Sequence, residues 1–297
     1  MRLAQLHGQL VQGQLAHIIS DERGKMLPTG SQPDQQPGRW DDHVCVYETV
    51  FEPFTLQFAL AAISTLGLAA GHSVLDVGAG SGGAALAMAE QGLRVTAIDA
   101  SARMVDRILT RAAERGAAID ARAMDGQTLQ FEDAIFDGAL SVLGIILFPD
   151  AARGLAEMRR VVRPGGRVSV VTWTRPQNYE LAAELRAAIQ SVWPDQPPAT
   201  LPAQLRYREE SDFQLLFKAA GLGEPVITTA TAHLEAPSAR WLSERIGFAP
   251  GMAAMMAGLG HRGPAVIQRF IENLEARLGR GPIDLSGVAF IGTVQVL

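Results

Sequence analysis

A chain of 297 residues with 47% hydrophobic residues is long enough for one large α/β unit with insertions and for a sizeable buried core. Its net charge of −5 argues against a nucleic-acid substrate, which a basic surface would normally meet. Cys45 is the only cysteine, which excludes a disulfide framework or a cysteine metal site within one chain, and no histidine pair at ligand spacing suggests a metal. The first thirty residues lack a continuous apolar run of the signal-peptide kind, so a cytoplasmic location is the expectation.

In chain order, residues 1–39 form an N-terminal extension whose latter part, T-G-S-Q-P-D-Q-Q-P-G, has the composition of a linker. Trp40 to Gly67 is expected to be helical. Phe54 to Leu75 carries no charge and raises the question of a membrane span. Gln57, Ser64, Thr65 and the break Gly71-His72-Ser73 divide it instead into a helix and a first strand. That strand runs into V-L-D-V-G-A-G-S-G-G at 74–83, where glycines permit a sharp turn and close backbone approach to a ligand. Ala84 to Glu90 reads as a helix, so the loop stands at a helix N-terminus, where free N–H groups attract anions. A second strand, Val95 to Ile98, ends in Asp99. A third, Ile119 to Met124, ends in Asp125-Gly126, and a fourth covers Phe136 to Leu143. A fifth, Arg167 to Trp173, follows a turn at Arg163-Pro164-Gly165-Gly166 that stops the preceding helix.

By pattern alone the glycine loop is ambiguous, because Gly78, Gly80 and Gly83 also satisfy the G-x-G-x-x-G of dinucleotide-binding folds, and Asp99 stands about 20 residues on, where an acid binds ribose hydroxyls. Turn glycines and a helix-capping acid would leave the same trace. Taken together, V-L-D-V-G-A-G-S-G, A-I-D-A-S, A-M-D-G-Q, F-D-G-A-L-S-V and V-R-P-G-G-R-V-S-V-V resemble the class I S-adenosylmethionine-dependent methyltransferases. They are similar, more narrowly, to bacterial small-molecule enzymes related to the quinone C-methyltransferases. The likeness covers about Trp40 to Trp173.

The resemblance implies an α/β, Rossmann-like fold: a mostly parallel seven-stranded sheet with helices on both faces and a helical substrate cap. It implies S-adenosylmethionine as cofactor, with S-adenosylhomocysteine as product. Gly78, Ala79, Gly80 and Gly82 would line the methionine part and Asp76 would support its amino group. Asp99 would take the ribose hydroxyls with Ala100 and Met104 beside the adenine. Asp125 would accept from the adenine amino group, with Gly126 and Gln127 nearby, and Ser141 would face the cofactor. Residues 40–174 would be the cofactor-binding core, and 175–297 the cap insertions with the last helix and strands.

Past Trp173, helices are expected over Tyr179 to Val192, Ser211 to Ala220 and much of Ser238 to Leu278, with strands at Val226 to Leu234 and Val288 to Val296. Residues 175–208 and 236–281 are assigned to the cap. Its G-M-A-A-M-M-A-G segment holds Met252, Met255 and Met256, which suit an irregular apolar ligand as well as a core. Trp173, Phe148, Trp241 and Met255 are the expected acceptor contacts. His43 and Tyr47, four apart and so on one helix face, are the expected base and the residue orienting the acceptor or closing over the cofactor. The resulting expectation is methyl transfer to a small, apolar-bodied metabolite, natural-product or quinone-like, at oxygen before nitrogen or carbon. A nicotinamide-dependent (NAD or NADP) oxidoreductase and a non-methylating S-adenosylmethionine-binding protein are the alternatives. The partner is a small-molecule acceptor, with no nucleic acid and no membrane span, and a homo-oligomer is left open.

Overall fold

The computed structural model describes residues 32–196 and 202–297. Expectations for the start of the N-terminal extension and for residues 197–201 of the proline-rich stretch lie outside the described residues.

Seven strands form one sheet: β1 (Ser73–Val77), β2 (Arg94–Asp99), β3 (Ile119–Ala123), β4 (Phe136–Val142), β5 (Val162–Trp173), β6 (Val226–Ala236) and β7 (Ile283–Gln295). Their spatial order is β3-β2-β1-β4-β5-β7-β6. The neighbours among β1 to β5 are parallel, whereas β7 runs antiparallel to both β5 and β6. Phe136 to Ser141 are buried one after another along β4, the signature of a strand covered on both faces. The strand order reverses between β1 and β4, and that reversal opens a crevice at the carboxyl ends of the strands.

Before β1 come α1 (Pro37–Trp40), α2 (Val44–Val46), a π-helical turn at Tyr47–Phe51 and α3 (Glu52–Leu66). Phe54, Phe58, Ala62 and Leu66 recur every four residues and are all buried, and this face of α3 lies against β4 to β7. The stretch 44–66 is the one helical run among the described residues long and apolar enough to cross a membrane, and half of it is buried inside the protein. Its apolarity therefore serves the core. Each large side chain so buried contributes roughly 1.5–3 kcal/mol.

The crossovers are α4 (Gly83–Glu90), α5 (Ala102–Arg115) and α6 (Ala151–Val161). Side chains start two of them: Ser101 Oγ accepts from the Met104 N–H at 3.1 Å, and Asp150 accepts from the Arg153 N–H at 2.9 Å, each a first-turn N–H with no partner inside its helix. Helices α7 (Glu180–Val192) and α8 (Glu210–Ala219) follow β5, and α9 (Ala239–Ser243), α10 (Pro250–Gly258) and α11 (Gly263–Leu278) separate β6 from β7.

Three elements differ from the sequence reading. The Arg163–Gly166 turn is taken into β5 as an irregularity, the pairing with β4 passing from Val162 to Arg167, because Gly165 N–H donates to Val296 O at 2.8 Å and Val296 N–H to Gly166 O at 2.9 Å. Strand β7 starts at Ile283, where alternately buried Ile283 and Leu285 pair with Ala236 and Leu234. Residues 32–38, linker by composition, are folded onto the cap: Asp34 accepts from Gly251 N–H at 2.6 Å, Gln32 accepts from Ala203 N–H at 2.6 Å, and Trp40 Nε1 donates to Asp34 O at 3.0 Å. A short polar segment becomes ordered here because its acceptors meet backbone N–H groups at helix starts, which would otherwise lack partners.

Candidate functional site

The crevice is a cavity of about 1140 Å³, larger than the roughly 300–1,000 Å³ of a typical single-ligand pocket. It has a polar end and an aromatic end.

The polar end grows from the tips of β1 and β2. Gly78 and Ala79 N–H both donate to Ile98 O, at 2.9 and 3.0 Å, which folds the glycine loop back over β2. Asp99 accepts Gly80 N–H on one carboxylate oxygen and Ser101 N–H on the other, both at 2.9 Å. Each oxygen keeps a lone pair for a further donor. Burial raises Asp99 to about 6, although the backbone N–H groups of Ser101, Gly80 and Ala100 oppose the rise. Asp76 is buried at the end of β1 and its Oδ2 has no hydrogen-bond partner. Burial, with the charges of Asp99 and Glu52 added, raises it to about 7. A buried carboxylate oxygen left unpaired costs free energy that a cationic or N–H donor in a ligand would recover.

Tyr47 covers the loop. Gly80 has φ +56°, and a Cβ there would stand 3.3 Å from the Tyr47 ring, so this glycine provides both the turn and the close approach. Trp40 and Phe51 meet the Tyr47 ring edge-on at 5.8 Å. Burial first, then the nearby carboxylates of Glu52, Asp99 and Asp76, holds its phenol well above the ordinary value, partly offset by a hydrogen bond with Thr55. It remains a neutral hydroxyl. A π-helical turn at this point fits the frequent placement of such turns at functional sites.

The aromatic end is a stack. Trp173 and Tyr179 lie 5.0 Å apart at 13°, Tyr179 and Phe54 5.6 Å apart at 12°, and Phe51 and Phe248 4.5 Å apart at 18°. The Tyr179 hydroxyl is buried without a hydrogen-bond partner, and burial pushes its phenol far up. Met252, Trp193, Arg186 and Asp34 also line the cavity. Burial raises the Asp34 carboxyl, against the lowering effects of Gly251 N–H and His43.

Of the expected residues, Tyr47, Gly78, Gly80, Asp99, Ala100, Met104, Asp125, Gly126, Gln127, Phe148, Trp173 and Met255 line this one cavity. Others do not. His43 is held away, its Nδ1 donating to Gly247 O at 2.9 Å, which makes it a tie between the N-terminal segment and the cap. Ser141 donates to Val77 O at 2.8 Å and accepts from Ile145 N–H at 3.0 Å, so it joins β4 to β1 and lies outside the cavity lining. Gly82 backs onto Ile108 of α5, and Ala79 and Asp76 also lie outside the lining, Asp76 buried two residues before the glycine loop. Trp241 stacks under Arg245 at 4.4 Å, apart from the cavity. Asp34, Phe51, Tyr179 and Phe248 are lining residues that sequence reasoning did not single out. Among the described residues no cluster of side chains could hold a metal ion.

Residues 74–166 match the family model described as a methyltransferase domain. An uncharacterized protein of Mycobacterium tuberculosis is 34% identical over 161 residues, 54% of this chain and 57% of that protein. A demethylmenaquinone methyltransferase of Tropheryma whipplei is 37% identical over 119 residues, 40% of this chain and 49% of the relative. The chain thus spans little more than half the length of the curated relatives it matches. Among solved structures, a Haemonchus contortus N-methyltransferase, in complex with phosphomonomethylethanolamine and S-adenosylhomocysteine, superposes with a TM-score of 0.55 at 18% identity. That alignment covers 92% of this chain and 62% of the other, a likeness of fold.

Proposed function

We propose that the chain, whose residues 74–166 match a methyltransferase domain, is a class I S-adenosylmethionine-dependent methyltransferase that transfers the methyl group of this cofactor to a small, flat, apolar-bodied acceptor. The observation that carries the reading is Asp76: a buried carboxylate with one oxygen unpaired beside the glycine loop suits the ammonium of a methionine moiety. A dinucleotide offers no cation there. Gly78 and Gly80 would line the methionine part of the cofactor, with Asp76 beneath them. Asp99 would hold the ribose hydroxyls and Asp125, with Gln127, the adenine edge. When bound, the cofactor supplies a methyl group made electrophilic by its sulfonium.

The chain's own part is positioning and exclusion of water, worth several kcal/mol when geometry is near attack. Trp173, Tyr179, Phe51 and Phe248 offer parallel ring faces at which a planar acceptor stacks. The named activity of the demethylmenaquinone methyltransferase relative supports a quinone-like or phenolic ring. Asp34 is the carboxylate of the cavity lining that the cofactor reading leaves free. Its burial makes it a stronger base than an exposed aspartate, fit to take a phenolic proton, so methylation at oxygen is the first expectation and ring carbon the second. Tyr47 donates from above the loop and shields the reacting atoms.

The test is calorimetric titration of the full chain with S-adenosylmethionine and S-adenosylhomocysteine, with NAD and NADP as controls. Micromolar binding of S-adenosylmethionine and S-adenosylhomocysteine alone is expected, followed by methyl transfer to phenolic or quinol probes. Binding of nicotinamide dinucleotides instead would overturn the reading.

A further inference from the structure

Glu52 stands at the start of an apolar helix and is buried, which its neighbours in sequence do not explain. Its carboxylate accepts the Ser81 hydroxyl, the Gly83 N–H at 3.2 Å, and the Arg111 guanidinium through Nη1 at 2.8 Å and Nη2 at 2.7 Å. Arg111 Nη1 also donates to Ser81 O at 2.7 Å. One acid and one base thus grip both the side chain and the backbone of the glycine loop. Arg107 and Glu48, joined by two bonds of 2.6 and 2.8 Å, brace the pair from outside, with Arg111 Nε 3.6 Å from Glu48.

The place that the carboxylate occupies matters more than the strength of the pair. The N-terminus of the helix after a glycine loop is an anion site, and dinucleotide-binding folds put a pyrophosphate there. Here α4 begins at Gly83 and its N–H is already taken by Glu52. A Cβ at Gly83 would fall 2.8 Å from the Glu52 carboxyl carbon, so the third glycine of the G-x-G-x-x-G pattern makes room for an internal acid. Glu52, Ser81 and Arg111 are all absent from the cavity lining. The anion end of α4 is therefore filled from inside the protein, and only the Gly78–Gly80 face of the loop looks into the cavity.

We propose that Glu52, neutralised by Arg111, is a positioning residue that fixes the glycine loop for a methionine moiety and denies the helix end to phosphates, so the site selects a phosphate-free nucleoside cofactor over a dinucleotide. This rests on the cofactor reading above. It also accounts for a glycine pattern that alone fits both cofactor classes.

The test compares S-adenosylhomocysteine, adenosine and ADP as titrants of the full chain. Adenosine reports only the Asp99–Asp125 end, so the ratio of the first two affinities isolates the loop. In the wild type, ADP is expected to bind no tighter than adenosine. Glu52→Gln alone strands a buried guanidinium and is strongly destabilising. Glu52→Gln/Arg111→Gln leaves no lone charge, and cooperative thermal unfolding checks its fold. In that double variant S-adenosylhomocysteine should bind about tenfold weaker, about 1.4 kcal/mol, with adenosine unchanged. In Glu52→Ala/Arg111→Gln, which likewise strands no charge and is checked for cooperative unfolding, ADP should gain about tenfold over adenosine, because the emptied helix end then offers its N–H groups to an anion. The proposal is overturned if the folded Glu52→Gln/Arg111→Gln variant keeps the wild-type ratio or loses both ligands equally, or if wild type already prefers ADP to adenosine. Wild type that binds NAD but not S-adenosylhomocysteine overturns the cofactor reading itself, and the proposal with it.

Discussion

The two ends of the cavity are built by different physics. At the polar end, carboxylates at strand tips are oriented by backbone N–H groups of the adjoining turns: Asp99 by Ser101 two residues on and by Gly80 of the glycine loop, and Asp125 by Gln127 N–H at 2.9 Å. At the aromatic end, Phe51, Trp173, Tyr179 and Phe248 come from four separate elements and meet only in the folded chain. One end is a property of local turns at a topological switch point, and the other is a property of tertiary packing. The lesson is that cofactor chemistry tolerates little variation in a short segment, whereas acceptor recognition is assembled by surfaces from distant parts of the chain.

Damage to the aromatic end should therefore appear as lost packing, and damage to the polar end as lost affinity. Trp173→Ala removes a buried ring that touches Phe51, Phe54, Phe58 and Tyr179 and should cost about 3–5 kcal/mol of stability, read by denaturant unfolding. A loss under about 1 kcal/mol would mean that the stack is not a unit. Asp34→Asn should lower turnover of a phenolic acceptor about 100-fold and leave S-adenosylhomocysteine affinity intact. Equal turnover would remove Asp34 from the chemistry. Asp99→Asn should weaken cofactor binding by about 2 kcal/mol through loss of charge-assisted bonds, with adenosine weakened equally, since both share the ribose.

The polar end should also carry a pH signature. Asp76 and Asp99 are raised to about 7 and about 6 from 3.8, so between the unfolded and folded values the folded chain holds more protons than the unfolded one. Stability from these groups is greatest below the ordinary carboxylate value and falls as pH rises through 6 to 7, by linkage. Cofactor binding has the opposite sign, because it needs the ionised carboxylates, and should weaken as pH is lowered through the same window. Cofactor-free Asp76→Asn should therefore gain stability over wild type progressively from about pH 4 to about pH 7 and level off above, while its affinity for S-adenosylhomocysteine stays low and nearly flat. A stability difference that is constant with pH would mean that Asp76 is not raised.

The same contrast explains what could be read from the residues alone. Strand, glycine turn, helix and the closing acids are periodic, short-range features, and the crossover rule orders them into a parallel sheet. The family resemblance implied a mostly parallel seven-stranded sheet, but the order β3-β2-β1-β4-β5-β7-β6 with its antiparallel β7 was not legible in these features. Asp34 was hidden in a Pro/Gln-rich segment, because composition cannot tell that one carboxylate will meet the N–H at the start of α10. Glu52 left a faint trace, an acid bordering a long uncharged run, but its partner Arg111 lies 59 residues on and no local period connects them. Trp241 and Ser141 fall outside the lining for a related reason: an aromatic or hydroxyl residue in the right region says nothing about which way tertiary packing will turn it.

His43 gives the smallest effect and the finest test of the comparison. Its spacing from Tyr47 put both on one helix face, but the chain does not wind as a regular α-helix through this region: His43 precedes α2, and Tyr47 opens a π-helical turn. The two side chains diverge, Tyr47 toward Gly80 and His43 toward the cap, where Gly247 O accepts from Nδ1. His43→Ala should then cost about 1 kcal/mol of stability, the usual net worth of such a bond, and leave turnover and cofactor affinity within about twofold, under 0.5 kcal/mol. His43→Asn, whose side-chain N–H₂ can offer the same donor, should recover part of that stability. A turnover loss above about tenfold in a fully folded His43→Ala would restore the histidine to the chemistry and move the proton acceptor from Asp34 to the residue the spacing first suggested.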